Sequence, residues 1–269
     1  MTSTDTTTPV ARVDAAIDAL LAAHDPRAMP DVEFRGARFD AGLAWVQFPV
    51  GYGGLGVSPE LNRRVEQRLR DAGAAPADPT GFFMHLAGPT IVTHGSEELK
   101  RRFLRPMFTG EERWCQLFSE PGAGSDFAGL ATRAVRDGDE WVVNGQKVWN
   151  TLAHLAQWGM LVTRTNAEAP KHRGMTYFLV DMRSPGVEVR PLRQITGEAE
   201  FNEVYLTDVR IPDTQRLGDE GDGWRVSLTT LMNERSSIGG GGGGGGPRRG
   251  SGPIGEAVKV WQGLPADRR

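Results

Sequence analysis

The 269-residue chain contains a single cysteine, Cys115. One thiol excludes an internal disulfide framework and any cysteine-rich zinc site, and it fits a reducing compartment. Basic charge is not in excess: 31 Lys and Arg stand against 34 Asp and Glu, a net charge of −3, which disfavours a nucleic-acid-binding protein. No stretch approaches the roughly 18 consecutive apolar residues of a membrane span. The opening Met1-Thr-Ser-Thr-Asp-Thr-Thr-Thr-Pro-Val10 has neither the basic nor the apolar segment of a secretory leader, so a cytoplasmic protein is expected. His24, His85, His94, His154 and His172 are scattered without paired-ligand spacing, and no metal site is expected. The glycine-bearing stretch 119–126 lacks the GxGxxG and P-loop signatures, and Ser119 has no GxSxG setting, which argues against a hydrolase nucleophile.

Glycine is abundant instead, at 35 residues, and eleven of them fall between Gly239 and Gly255. Ahead of that segment the pattern changes twice. Apolar residues at helical spacing (Val13, Ile17, Leu20) predict a first helix over about 10–23, and helical patterns recur at about 59–69, 79–94 and 96–108. Ser96, followed by Glu97 and Glu98, reads as a helix cap with acidic residues in the first turn. From Trp114 the period shortens to two. Strands are expected near 114–118, 132–135, 140–143, 146–149, 161–165, 176–181, 187–192 and 202–211, with Asn144-Gly145 as a hairpin signal. Many short strands at regular spacing suggest a barrel or orthogonal sandwich. A last helix is expected from Gly223 to Ile238, and a run of glycines cannot extend it cheaply. The expected fold class is therefore α+β and multidomain: an N-terminal α-helical domain (1–113), a middle β-barrel domain (114–212) and a partial C-terminal α-helical domain (213–269) that contains the glycine-rich segment 239–255.

The loop Ser119-Glu-Pro-Gly-Ala-Gly-Ser-Asp126 follows a strand, and its closely spaced glycines let backbone N–H groups approach an anion. Taken alone it reads as an ordinary turn. Together with Gln116-Leu-Phe118 before it, Gly129-Leu-Ala-Thr-Arg133 after it, and Trp141-Val-Val-Asn-Gly-Gln-Lys-Val-Trp-Asn-Thr151, it resembles the acyl-CoA dehydrogenase family. Gly51-Tyr-Gly-Gly-Leu-Gly56, Gly95-Ser-Glu-Glu-Leu-Lys100, Phe178-Leu-Val-Asp181 and Phe201-Asn-Glu-Val-Tyr205 extend the likeness in the family's order over roughly residues 35–238.

The resemblance implies an FAD enzyme that dehydrogenates an acyl-CoA between its α and β carbons and passes electrons to an electron-transfer flavoprotein, as a homo- or hetero-oligomer. It places Gln116, Leu117, Phe118, Ser119, Gly124, Ser125, Trp149, Asn150 and Thr151 at flavin-contacting positions. Trp149 would cover one side of the flat ring, Thr151 would bond near its N5, and Ser125 would also lie near the CoA pyrophosphate. Glu120 and Pro121 are expected to shape the turn, and Cys115 to be a small buried hydrophobe.

The resemblance also implies a carboxylate base that removes the α-proton while the β-hydrogen leaves as hydride to the flavin. In part of the family it stands on the first C-terminal helix directly before an arginine, a place held here by Glu234 within Met232-Asn-Glu-Arg-Ser236. Asn233 and Arg235 would then face the substrate. In much of the family the base lies later in the C-terminal domain, and the expectation is a chain cut short within that domain. Two other readings stay open: a non-catalytic subunit supplying a flavin half-site to a heteromer, and a flavin oxidase or monooxygenase of the same fold.

Overall fold

The computed structural model describes residues 8–75, 83–239 and 253–265. Residues 240–252 of the glycine-rich segment and 79–82 of the helix expected at about 79–94 lie outside the described residues. The chain divides into two units, Met1–Glu234 and Arg235–Arg269.

The first unit begins with five helices: α1 (Pro9–Ala23), α2 (Asp31–Asp40), α3 (Asn62–Asp71), α4 (Met84–His94) and α5 (Glu97–Thr109). Thr8 caps α1 through its hydroxyl, which accepts from Ala11 N–H, and Pro9 supplies a preset first turn. The stripe Val13, Ile17, Leu20 is buried as its spacing predicts, in a core shared with Phe34 of α2 and with Val65 and Leu69 of α3. Ser96 caps α5 at 3.2 Å from Leu99 N–H, with Glu97 and Glu98 in the first turn as expected. Helix α2 is not among the expected helices.

An eight-stranded sheet follows: β1 (Trp114–Leu117), β2 (Arg133–Asp137), β3 (Glu140–Lys147), β4 (Trp158–Arg164), β5 (Met175–Asp181), β6 (Val187–Leu192), β7 (Phe201–Pro212) and β8 (Arg216–Leu217). Its order is β6-β7-β3-β2-β4-β5-β8, and β1 pairs in parallel with β4. Strands β4 and β5 are buried on both faces. Met160, Val162, Met175, Tyr177 and Leu179 enter one core with Leu86 and Ile91 of α4 and Phe103 and Phe108 of α5, whereas Leu161, Phe178 and Val180 enter a second core with Trp141, Val143 and Leu206. The sheet thus separates two hydrophobic layers, and Cys115 is a buried member of the second.

The expected Asn144-Gly145 hairpin does not form. Residues 140–147 are one strand, paired along its length with β7, and Gly145 marks a register shift in that ladder. A Cβ at Gly145 would stand 2.4 Å from the Thr132 hydroxyl, so the glycine allows a close strand crossing. The turn lies one signal earlier, at Gly138-Asp139, between the paired Asp137 and Glu140. Gly138 takes the positive φ of 66° that the first position of a two-residue turn demands.

Helix α6 (Gly223–Gly239) starts in the first unit and ends in the second. The second unit also holds α7 (Pro253–Gly263).

Candidate functional site

Strand β1 delivers Gln116 to its exposed edge and turns Leu117 and Phe118 inward. The Leu117 side chain lies in the second core and that of Phe118 in the first, stacked on Phe127 at 5.0 Å. Contact with a ligand at these two positions is therefore open to their backbone alone, because close packing occupies their side chains.

The following loop is held from below by an ion pair that sequence reading passed over. Glu120 accepts from Ala131 N–H at 2.6 Å and Thr132 N–H at 3.0 Å, and Lys147 Nζ stands 2.8 Å from its Oε1. Lys147 is wholly buried and also donates to the Phe118 carbonyl at 3.1 Å. Burial lowers the Lys147 ammonium to about 8, against the attraction of Glu120, so it stays protonated at neutral pH. Burial alone would raise the Glu120 carboxyl, but the Lys147 charge and the hydrogen bonds from Lys147, Thr132 and Ala131 hold it below its ordinary value. Glu120 shapes the turn, as expected. Arg164 braces the far end of the loop through the carbonyls of Ala128 at 2.5 Å and Leu130 at 3.3 Å. The signal for Lys147 was in the strand's parity: Trp141, Val143 and Lys147 share the inward face of β3.

The same lysine ends β3 and opens the turn 148–151. Val148 N–H donates to the Ser119 carbonyl at 2.9 Å, which ties the turn to the loop. Trp149 then adopts φ 62°, a backbone conformation that costs a bulky residue about 1–2 kcal/mol. Despite that cost the residue is 62% exposed, and its ring meets the edge of Phe201 at 5.9 Å. A strained, exposed tryptophan is held there by its neighbour. Asn150 is buried and donates from Nδ2 to the Gln116 carbonyl at 2.7 Å, and its backbone exchanges bonds with Asn202 at 3.0 and 2.8 Å. Asn202 is in turn fixed by His154 at 3.0 Å. Asn150 Oδ1 is buried and has no hydrogen-bond partner among the described residues. Thr151 is half-buried beside it.

Glu234, on α6, reaches this place from the other side. Its Oε2 lies 3.4 Å from Gln116 Nε2. Gln116 therefore links a carboxylate, through its own carbonyl, to the turn that carries Trp149. Among the described residues, the structure brings together Gln116, Ser119, Trp149, Asn150, Thr151 and Glu234. Gly124 and Ser125 are exposed further out on the loop, and no described hydrogen bond joins Ser125 to the group; a Cβ at Gly122 or Gly124 would meet nothing within 4 Å. Asn233 turns back on its own helix, donating to the Thr229 carbonyl at 2.8 Å. Arg235 is exposed and begins the second unit. Among the described residues no group of three His, Cys, Asp or Glu side chains could hold a metal ion, and no helix is long and apolar enough to cross a membrane.

These features fit a flat, hydrogen-bonding cofactor such as a flavin. Trp149 offers a broad apolar face, and the glycines of the loop an unobstructed backbone.

Comparison with known proteins agrees with this geometry. The pattern described as acyl-CoA dehydrogenase, N-terminal domain, matches residues 9–111, and that described as acyl-CoA dehydrogenase, middle domain, matches residues 115–209. Acyl-CoA dehydrogenase FadE34 of Mycobacterium tuberculosis is 48% identical over 211 residues, which are 78% of this chain and 29% of that protein. Among solved structures, the Tcur3481-Tcur3483 steroid ACAD is 29% identical, with a TM-score of 0.62 over 83% of this chain and 60% of that one. The ChsE4-ChsE5 complex from Mycobacterium tuberculosis is 30% identical, with a TM-score of 0.60 over 87% of this chain and 61% of that one. The chain thus spans less than two thirds of each of these relatives.

Proposed function

The chain belongs to the acyl-CoA dehydrogenase family, and on that premise we propose that it binds FAD between the Gln116–Ser125 stretch and the 148–151 turn and dehydrogenates an acyl-CoA to the trans-2-enoyl-CoA. The observation that carries this reading is the meeting at Gln116 of a carboxylate from α6 and a strained, exposed tryptophan turn from the sheet. FAD, when bound there, would supply the acceptor for the β-hydride, with an electron-transfer flavoprotein as the onward acceptor. Trp149 forms an apolar wall that fixes the ring and excludes water from one side. Asn150, itself buried, holds the turn in place through its bond to the Gln116 carbonyl. Ser119 and Thr151 place hydroxyl groups at its edge, and Ser125 with the open loop backbone receives phosphate. Glu234 takes the α-proton, held in place by the Gln116 amide. In this reading residues 1–113, 114–212 and 213–269 act as the helical, flavin-binding and C-terminal helical parts.

A second reading rests on the relatives: one is a complex of two named chains and another carries a paired name and the word steroid. It makes this chain the flavin-bearing subunit of a heteromer acting on a steroid-type acyl-CoA. Acyl-CoA-dependent dye reduction separates the two. The first predicts turnover by the chain reconstituted with FAD, and loss of about three orders of magnitude or more in Glu234→Gln. The second predicts turnover only after a partner subunit is added. Full activity of Glu234→Gln would remove Glu234 from the chemistry under either.

A further inference from the structure

Three hydroxyl groups in the first core have no part in the chemistry above. Tyr177 on β5, Thr230 on α6 and Thr90 on α4 are fully buried. Tyr177 Oη lies 3.1 Å from Thr230 Oγ1, which lies 2.9 Å from Thr90 Oγ1, which lies 2.7 Å from the Leu86 carbonyl. The last contact fixes the sense of the others. A carbonyl only accepts, so Thr90 commits its single proton to Leu86; Thr90 must then accept from Thr230, and Thr230 from Tyr177. The order Tyr177, Thr230, Thr90, Leu86 uses every hydroxyl proton in the chain of bonds and leaves none unmatched.

A one-way relay of this kind constrains geometry in a manner that apolar packing does not. Burial of Val226 and its neighbours favours contact between α6 and the sheet, but hydrophobic contact is non-directional and tolerates rotation about the helix axis. Turning α6 by a fraction of a turn would break two buried hydrogen bonds at Thr230, each expensive to leave unmade. Thr230 stands four residues before Glu234 and so occupies the same face one turn earlier. Whatever fixes the rotation at Thr230 fixes the direction in which Glu234 projects, and Glu234 meets Gln116 at 3.4 Å.

We propose that the Tyr177–Thr230–Thr90 relay is a positioning device, setting the rotation of α6 so that the Glu234 carboxylate is presented to the Gln116 amide. Its functional meaning rests on Glu234 as the proton acceptor; its structural content does not, and the two are tested apart. The side-chain amide resonances of Gln116 are followed in isotope-labelled full-length protein, with Glu234→Gln defining their position when the contact is altered. Thr230→Val removes the relay at nearly constant volume, Thr230→Ser retains the hydroxyl, and Tyr177→Phe removes only the first donor. The expected result is that Thr230→Val displaces the Gln116 amide, Thr230→Ser restores the native position, and Tyr177→Phe gives a smaller displacement. If Thr230→Val fails to fold, Tyr177→Phe against Thr230→Ser decides by the same readout. Native Gln116 signals in the folded relay-breaking variants would overturn the proposal, as would signals in Glu234→Gln that do not move. Turnover of Glu234→Gln reports separately on the base: displaced Gln116 signals with undiminished turnover would keep the relay and discard the base.

Discussion

Replacing Lys147 with methionine probes the ion pair on which the candidate site rests. The side chain is fully buried, with an ammonium donating to Glu120 at 2.8 Å and to the Phe118 carbonyl at 3.1 Å. Methionine fills similar volume but leaves Glu120 charged and without its cation. Breaking one side of a buried pair costs about 3–5 kcal/mol. Glu120 retains the Ala131 and Thr132 N–H groups, which places the expected loss near the lower end, about 3 kcal/mol. The loss also carries a pH signature. In the native protein the Glu120 carboxyl lies below its unfolded value, so its contribution is present above about pH 4.3 and is lost as pH falls through the folded value. Without Lys147, burial dominates and raises the folded carboxyl above the unfolded value, so the folded state now takes up the extra proton and gains stability on acidification. Urea unfolding followed by tryptophan fluorescence should show a gap between native and Lys147→Met that is wider at about pH 7 than at about pH 5. Adding Glu120→Gln should return about 1 kcal/mol or more, because the unpaired charge is gone. A loss under about 1 kcal/mol, or a gap that widens toward acid, would refute the assignment of the pair as the clamp of this loop.

Trp149→Gly releases a left-handed backbone at φ 62° and gives up little burial, so the fold should gain up to about 1 kcal/mol while FAD retention is lost. Thermal melting and FAD titration read the two effects, and a variant that retains FAD as tightly as the native protein would contradict the role given to Trp149. Cys115 is buried and its thiol is pushed up by burial, so a thiol reagent should react only after unfolding. Rapid labelling of the folded protein would place Cys115 outside the core.

Much of this arrangement could be read along the chain because single local rules decide it. The stripe of α1, the cap of α5, and the start and extent of α6 follow from helical spacing and end signals, and the Ser119–Asp126 and Trp141–Thr151 motifs lie where the site forms. The misreadings have physical causes. Strand β4 begins at Trp158, three residues before the expected start, because it is covered on both faces and shows an apolar run rather than alternation. Asn144-Gly145 carries the composition of a turn, yet β7 pairs on both sides of it and converts it to an irregularity within one strand. Lys147 was quoted within a motif, but its burial follows from strand parity together with a partner 27 residues away. The Tyr177, Thr230 and Thr90 hydroxyls are 53 and 140 residues apart in sequence, and no local pattern relates them.

The central claim is that this chain carries a flavin site joined to an acyl-CoA site, and the visible spectrum of the purified protein tests it most directly. After incubation with FAD and removal of the free cofactor, the account predicts retained flavin absorbance in the native protein, loss of it in Trp149→Gly, and bleaching by an acyl-CoA in the absence of oxygen. A folded, colourless protein, or a bound flavin that no acyl-CoA bleaches even with a partner subunit present, would contradict it.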